Sequence, residues 1–217
     1  KVMMQVAAGC HMARILKFAY FHGLKFSLFD DVLIPRPDTE TLVEAVSSAG
    51  DEVSIVDWCT GSGCVGVALA KKYPKAKLYM LDKYESPCEN AWLNVEQHQL
   101  VGRALVMQAD FFAPWPFQQV DVIVINPPYL AQDDQHLQHL TQDPLSALVA
   151  EHAGMMFYEH LLQVAQSHLR PEGELLIEFG FDQSQAVLDL ALAANWQQPV
   201  LFSDMAGHNR VLKVRNI

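Results

Sequence analysis

Stretches of apolar β-formers and stretches with helix-spaced apolar residues take turns along most of this chain. Residues 53–57 (VSIVD) predict a strand, and 64–72 a helix entered through a glycine turn. Residues 76–82 predict the next strand. Ser86-Pro87-Cys88-Glu89 reads as a capping box with proline at the first helical position, opening a helix to about His98. Strands follow at 104–108 and 121–125. A long connection comes next, in which Tyr158, Leu161, Leu162, Ala165 and Leu169 keep helical spacing. Residues 174–179 predict a strand and 183–194 a helix. Residues 200–203 and 211–214 predict an antiparallel hairpin around Ala206-Gly207-His208-Asn209. Upstream, residues 1–29 read as a helical or irregular opening broken at Gly23, and 32–34 as a short strand. Asp38 or Thr39 would cap a helix running through about Ser47.

Alternating strands and helices predict an α/β fold: a doubly wound, mostly parallel, seven-stranded sheet with an antiparallel C-terminal hairpin. The run VDVIVI is almost continuously apolar, as suits a central strand covered on both faces. The 217 residues suffice for one such domain, expected over 32–217 behind a short segment, 1–31. Ligands of these sheets bind beyond the carboxyl ends of the strands, at the point where the strand order reverses. The chemistry is therefore sought there.

The first strand of the alternating region runs into Asp57-Trp58-Cys59-Thr60-Gly61-Ser62-Gly63-Cys64-Val65-Gly66. Gly61, Gly63 and Gly66 make G-x-G-x-x-G between a strand and a helix, and Asp82 ends the next strand, where a ribose hydroxyl would be held. The bland alternative is a tight turn with no ligand. Two cofactor classes fit, a nicotinamide dinucleotide and S-adenosylmethionine. A dinucleotide would set its pyrophosphate on the helix N-terminus, and a carboxylate close by opposes that. Asp57 suits a sulfonium with an amino acid tail, although it could instead only cap loop amides. Asp110 and Phe111 follow the third strand, over the place of an adenine ring. Asp110 can accept from its exocyclic amine and Phe111 can lie against its face; alone, they would read as a turn acid and a core aromatic.

The fourth strand stops on Asn126-Pro127-Pro128-Tyr129. Proline has no N–H and fixes φ, and it pushes Asn126 into an extended conformation. The main chain here offers carbonyl acceptors and, for two residues, no donors. With the Asn126 side chain it complements a planar NH₂ group, and Tyr129 supplies a flat surface. Such a group is a poor nucleophile because its lone pair is delocalised. Holding its hydrogens with acceptors orients it and favours positive charge on nitrogen. The competing explanation is a strand stop with a proline turn.

Composition narrows the partners. Lys and Arg number 15 against 25 Asp and Glu, a net charge of −10, which runs against direct nucleic acid binding. No apolar run reaches membrane-spanning length, and no basic-then-apolar leader opens the chain. The four cysteines, Cys10, Cys59, Cys64 and Cys88, include no C-x-x-C pair. They read as reduced thiols of a cytoplasmic protein. No metal site is expected; His136 and His139 beside Asp133 and Asp134 are the nearest thing to a ligand cluster.

The strings FHGLKF, PRPDTETLVE, IVDWCTGSG, INPPYL, DPLSALVAEHAGM and LLIEFG together resemble the HemK-type protein-(glutamine-N5) methyltransferases. NPPY alone is shared with adenine-N6 methyltransferases; PRPDTE with NPPY is far more specific. The resemblance implies a class I methyltransferase fold, S-adenosylmethionine as cofactor, and the Gly-Gly-Gln glutamine of a peptide chain release factor as substrate. It also implies that Thr60, Gly61, Ser62 and Gly63 surround the methionine end, with Asp57 and Cys59 beside them. Asp82 would take the ribose, and Asp110 and Phe111 the adenine. Asn126, Pro127, Pro128 and Tyr129 would hold the substrate, with Asn126 also bordering the cofactor, and residues 35–40 would border its pocket. Cys59 departs from the family's usual glycine and would be strained at positive φ. The family's N-terminal helical domain is longer than the segment here. Competing readings are methylation of a ribosomal protein glutamine, of an adenine amine, a nicotinamide oxidoreductase, and a binding module that has lost activity.

Overall fold

The computed structural model describes residues 10–47, 50 and 52–217. Helix α1 (Met12–Leu16) leads into strands β1 (Phe18–Phe21) and β2 (Leu24–Ser27), and a 3-10 turn over Pro37–Thr39 precedes α2 (Glu40–Ala45). The alternating region comprises β3 (Ser54–Trp58), α3 (Cys64–Lys72), β4 (Lys77–Asp82), α4 (Glu85–Gln97), β5 (Ala104–Gln108) and β6 (Val120–Ile125). Then come α5 (Met156–Val164), β7 (Leu169–Glu178), α6 (Ser184–Ala193), β8 (Gln197–Ser203) and β9 (Asn209–Arg215).

The main sheet has the order β5-β4-β3-β6-β7-β9-β8, with seven strands. Every pair is parallel except those made by β9, which runs antiparallel to β7 and β8. This is the doubly wound sheet with its C-terminal hairpin that the alternating pattern predicts. The order turns back at β3, whose neighbours are β4 and β6.

The two faces of the sheet are two separate cores. Val122 and Val124 pack with Ile55, Leu78 and α3 on one side, and Ile123 and Ile125 with Val56, Ile177 and α5 on the other. Successive residues of a strand point to opposite faces, so the part of a strand covered on both must be apolar, as β6 is from Val122 to Ile125. Each fully buried Val, Leu or Ile contributes about 1.5–3 kcal/mol.

Several local expectations change. The opening is not only helical or irregular, for Phe18–Phe21 and Leu24–Ser27 pair as an antiparallel hairpin; residues 1–9 lie outside the described residues. Gly23 does not break a helix. With His22 it forms a two-residue turn, at φ of 73° and 49°, the left-handed geometry that such hairpins favour. Residues 32–34 form no strand, because their backbone groups are met by side chains. Val32 O accepts from Arg14 and Ile34 N donates to Asp143. Helix α2 ends at Ala45, and Ser47 beyond it donates through N and Oγ to Glu174. Neither proposed residue caps α2: Asp38 pairs with Arg210 and the Thr39 hydroxyl turns to Glu178. Helix α4 starts at Glu85, so Pro87 lies within its first turn, and Ser86 Oγ is bonded to Asp31 instead of capping.

Two buried asparagines on α4 fasten the β1–β2 hairpin to the domain. Asn94 accepts from Ser27 N (2.8 Å) and donates to Ser27 O (2.9 Å) and to Ser62 O (2.8 Å). Asn90 accepts from Phe29 N and donates to Ser27 O. Asn94 thus ties the hairpin and the glycine loop to one helix. Leucine there leaves Ser27 N and Ser62 O without their partner, while Ser27 O keeps Asn90. Asn94→Leu is expected to lower unfolding free energy by about 2–4 kcal/mol, read as a lower urea midpoint; a midpoint unchanged within error would refute this tie.

Candidate active site

Strands β3 and β6 are neighbours in register, with Trp58 opposite Ile125. The chain therefore leaves both strands at one level, Cys59 on one side and Asn126 on the other. A cavity of about 390 Å³ opens there, of the size that holds a small ligand. From the glycine loop it is lined by Asp57, Cys59, Thr60, Gly61 and Ser62. Asp82, Asp110, Phe111, Asn126 and Pro128 complete the set of anticipated residues that reach it. Gly63, Pro127 and Tyr129 are not among the lining residues.

The loop is built on Asp57. This carboxylate is buried, and its Oδ2 accepts from Thr60 Oγ1 (2.6 Å) and from Gly66 N (3.0 Å) in the first turn of α3. Glycine suits that closeness at position 66, since a Cβ there would crowd Asp57 Oδ2 at 3.0 Å. Gly63 enters α3 at φ 81°, and a Cβ on it would lie 2.6 Å from Met80 Cε. The loop-capping alternative for Asp57 is thus part of the geometry, alongside its place in the cavity wall. Burial pushes the Asp57 carboxyl up to about 7, against the downward pull of Thr60 and Gly66 and with a further push from Asp82. Cys59 sits at φ 56°, the left-handed conformation in which a side chain is strained. Burial raises its thiol well above the ordinary range, so it is no thiolate nucleophile.

Asp82 stands at the end of β4. Its Oδ2 accepts from Gly61 N (3.0 Å) and its Oδ1 from Tyr84 N (3.2 Å). Each oxygen keeps a lone pair for a hydroxyl from the cavity. Asp110 lies at the rim, accepting from Phe112 N and pairing with Lys83 (3.3 Å), and the Phe112 bond chiefly lowers its pKa. Phe111 is buried in an aromatic cluster, edge-on to Trp58 with ring centroids 5.2 Å apart. With Asp31 and Glu151 also on the wall against Arg36 and Lys83, the lining carries more acids than bases. That charge favours a cationic ligand over a pyrophosphate.

The tetrad is held from three sides. Tyr129 N and Leu130 N both donate to Leu148 O, and Ala150 N donates to Leu130 O. Gln183 Nε2 donates to Tyr129 O (2.9 Å). Gly154 lies under that same carbonyl, where a Cβ would come within 2.0 Å of the oxygen. The Asn126 side chain donates from Nδ2 to Thr39 Oγ1 (3.2 Å).

The far wall comes partly from the 35–40 loop, where it was expected, and partly from the 144–157 stretch, to which no site role was given. Pro35, Arg36 and Thr39 line the cavity from one side, and Ala147, Glu151 and Phe157 from another. Asp143 joins these walls. It accepts from Arg14 (2.8 Å) and Ile34 N through Oδ1 and pairs with Arg36 through Oδ2. Arg14 also donates to the carbonyls of Phe29, Val32 and Gln142. The only sequence signal for Asp143 is its place in the DPLSALVAEHAGM string. Among the described residues, no group of three or more His, Cys, Asp or Glu is placed to hold a metal ion, and His136 bonds to Asp134.

Asp57 gives the site a pH signature. Its folded pKa (about 7) lies above the unfolded value (3.8), so the folded state holds the proton more tightly. Unfolding free energy therefore falls as pH rises from about 4 towards 7, and the stabilisation is fully present only below that window. Asp57→Asn is expected to flatten this part of the stability–pH curve, followed by urea denaturation at each pH. Parallel curves for the two proteins would sink the assignment.

Residues 37–148 match the family described as "Methyltransferase small domain". The chain is 32% identical over 207 residues to a release factor glutamine methyltransferase of Coxiella burnetii, covering 94% of this chain and 74% of that one. It is 36% identical over 210 residues to the enzyme so named from Moorella thermoacetica, again covering 94% and 74%. A methyltransferase structure from Pyrococcus furiosus superposes over 99% of this chain and 97% of its own with a TM-score of 0.68 at 16% identity, a likeness of fold.

Proposed function

The chain belongs to the release factor glutamine methyltransferase family, and on that premise we propose that it methylates the side-chain amide nitrogen of the Gly-Gly-Gln glutamine of a peptide chain release factor. S-adenosylmethionine is the methyl donor, as family and fold imply, and supplies an electrophilic methyl on a sulfonium when bound. The observation that carries the proposal is the meeting of Asn126 and Pro128 with an acid-lined glycine loop across one cavity.

The residues fit that cofactor. Gly61 and Ser62 bring bare backbone to its methionine end, and Asp57 and Asp82 favour its positive charge. Asp82 accepts from the ribose hydroxyls, and Phe111 and Asp110 border the adenine. Across the cavity, Asn126 Oδ1 and a carbonyl of the donor-free Asn126–Pro128 main chain accept from the two hydrogens of the glutamine NH₂. Tyr129 stands behind them, outside the cavity lining, and burial keeps its phenol protonated. Held so, the nitrogen lone pair faces the methyl group. Placement supplies much of the rate, and the fixed acceptors favour the charge that builds on nitrogen. The bound cofactor would supply the methyl and its sulfur would keep the bonding pair, and the N-protonated methylamide would give one proton to solvent. No histidine or thiolate is needed.

Among the described residues no helix is long and apolar enough to cross a membrane. With four unpaired cysteines, we place the reaction in the cytoplasm.

Radiolabelled methyl transfer should go to a release factor in preference to RNA, DNA or ribosomal protein; label in nucleic acid instead would replace the substrate proposed. S-adenosylhomocysteine, and not NADH, should raise the melting temperature. Asn126→Ala should keep that thermal shift while lowering kcat by roughly 10²–10³, and unchanged turnover would remove Asn126 from the mechanism.

A further inference from the structure

Beyond the tetrad, one buried acid beside it has no part in holding the glycine loop. Glu178 is the last residue of β7, at the end of an otherwise apolar run, and is 3% exposed. Because Ile125 pairs with Ile177, Glu178 lies alongside Asn126. Its Oε1 accepts from Thr39 Oγ1 (3.1 Å), and Thr39 Oγ1 accepts from Asn126 Nδ2 (3.2 Å). Its Oε2 is buried with no hydrogen-bond partner. An unpaired buried carboxyl oxygen is costly, and a leucine or methionine would fill that position of β7 without the cost. Packing alone does not account for the residue.

We propose that Glu178 and Thr39 are positioning residues that decide which end of the Asn126 amide faces the substrate. The reason lies in hydrogen counting. A hydroxyl has one hydrogen. Thr39 gives it to Glu178, so towards Asn126 it can only accept. That selects the amino end of the Asn126 side chain and turns it inward. The carbonyl oxygen, Oδ1, is then the end presented to the cavity. Turned the other way, Asn126 would aim N–H at the N–H of an incoming amide and repel it. The arrangement also links three distant parts of the chain, since Thr39 belongs to the PRPDTE loop, Asn126 to the tetrad and Glu178 to β7.

This inference rests on the methyl-transfer reading, and the experiment separates the two. Steady-state methylation of a release factor would be measured for the parent, Thr39→Val, Thr39→Ser, Glu178→Met and Glu178→Gln, with calorimetric Kd for S-adenosylhomocysteine on each. Thr39→Val and Glu178→Met should lower kcat by about tenfold or more, with KM and Kd moving less than about threefold. Thr39→Ser keeps the hydroxyl and Glu178→Gln an oxygen acceptor, and both should return kcat to within about threefold of the parent. A Thr39→Val protein with parental kcat overturns the inference. So does one in which KM and Kd rise as much as kcat falls, because that is the pattern of a merely structural role. If Glu178→Met does not fold, Thr39→Val decides alone. A parent that transfers no methyl to the release factor overturns the functional reading itself.

Discussion

Everything at this site depends on the parallel pairing of β3 with β6 and on the register that sets Trp58 opposite Ile125. In a doubly wound sheet the connections from two such strands leave in opposite directions, so their ends part and a crevice opens between them. Here the glycine loop departs towards β4 and the tetrad towards β7. A one-residue slip would exchange the faces of every side chain on a strand. It would put Val122 and Val124 into the wrong core and withdraw Asn126 from the cavity. The two cores on either side of β6 therefore fix the site's geometry as well as the domain's stability.

On that apolar frame the protein spends several buried polar groups. Asp57 closes the glycine loop from beneath, Asn94 ties the loop and the hairpin to α4, and Asp143 binds two arginines. Glu178 lies under Asn126. Asp57 and Glu178 are held by burial at pKa values near 7 and 8, so part of each is protonated where an exposed carboxyl would be fully ionised. Such groups weaken the fold compared with well-packed hydrocarbon. They recur where a loop or an amide must be held in one orientation, which is the usual reason to keep them.

The frame was legible because it is written in short-range patterns. Periodicity marked the strands, and the bounds of α3 came out at Cys64–Lys72. The glycine spacing and the NPPY string marked both walls of the crevice. The misses have local causes. A glycine between two apolar runs fits a helix break as well as a hairpin turn, and only the pairing of the runs makes His22-Gly23 a turn. Ser86 looked like a cap because its partner, Asp31, lies 55 residues away. Asp143 and Glu178 gave no local signal of their roles. Their partners Arg36 and Thr39 are 107 and 139 residues distant, and only the folded sheet brings them together.

Asp143 also explains how so much of the cavity can be built from irregular chain. Neither 31–39 nor 140–151 forms a strand or an α-helix, apart from single 3-10 turns. Ordinary loops of this kind are mobile, because few buried contacts hold them. Here one carboxylate, with its side chain 3% exposed, receives Arg14, Arg36 and the amide of Ile34. Removing one partner from such a cluster leaves uncompensated buried charge, typically costing 3–5 kcal/mol. The cluster therefore holds both loops as a unit with α1. The part of the wall that the motifs identify is carried by the sheet; the rest is carried by this ion cluster, and the PRPDTE loop belongs to both, through Thr39 to the sheet and through Arg36 to Asp143.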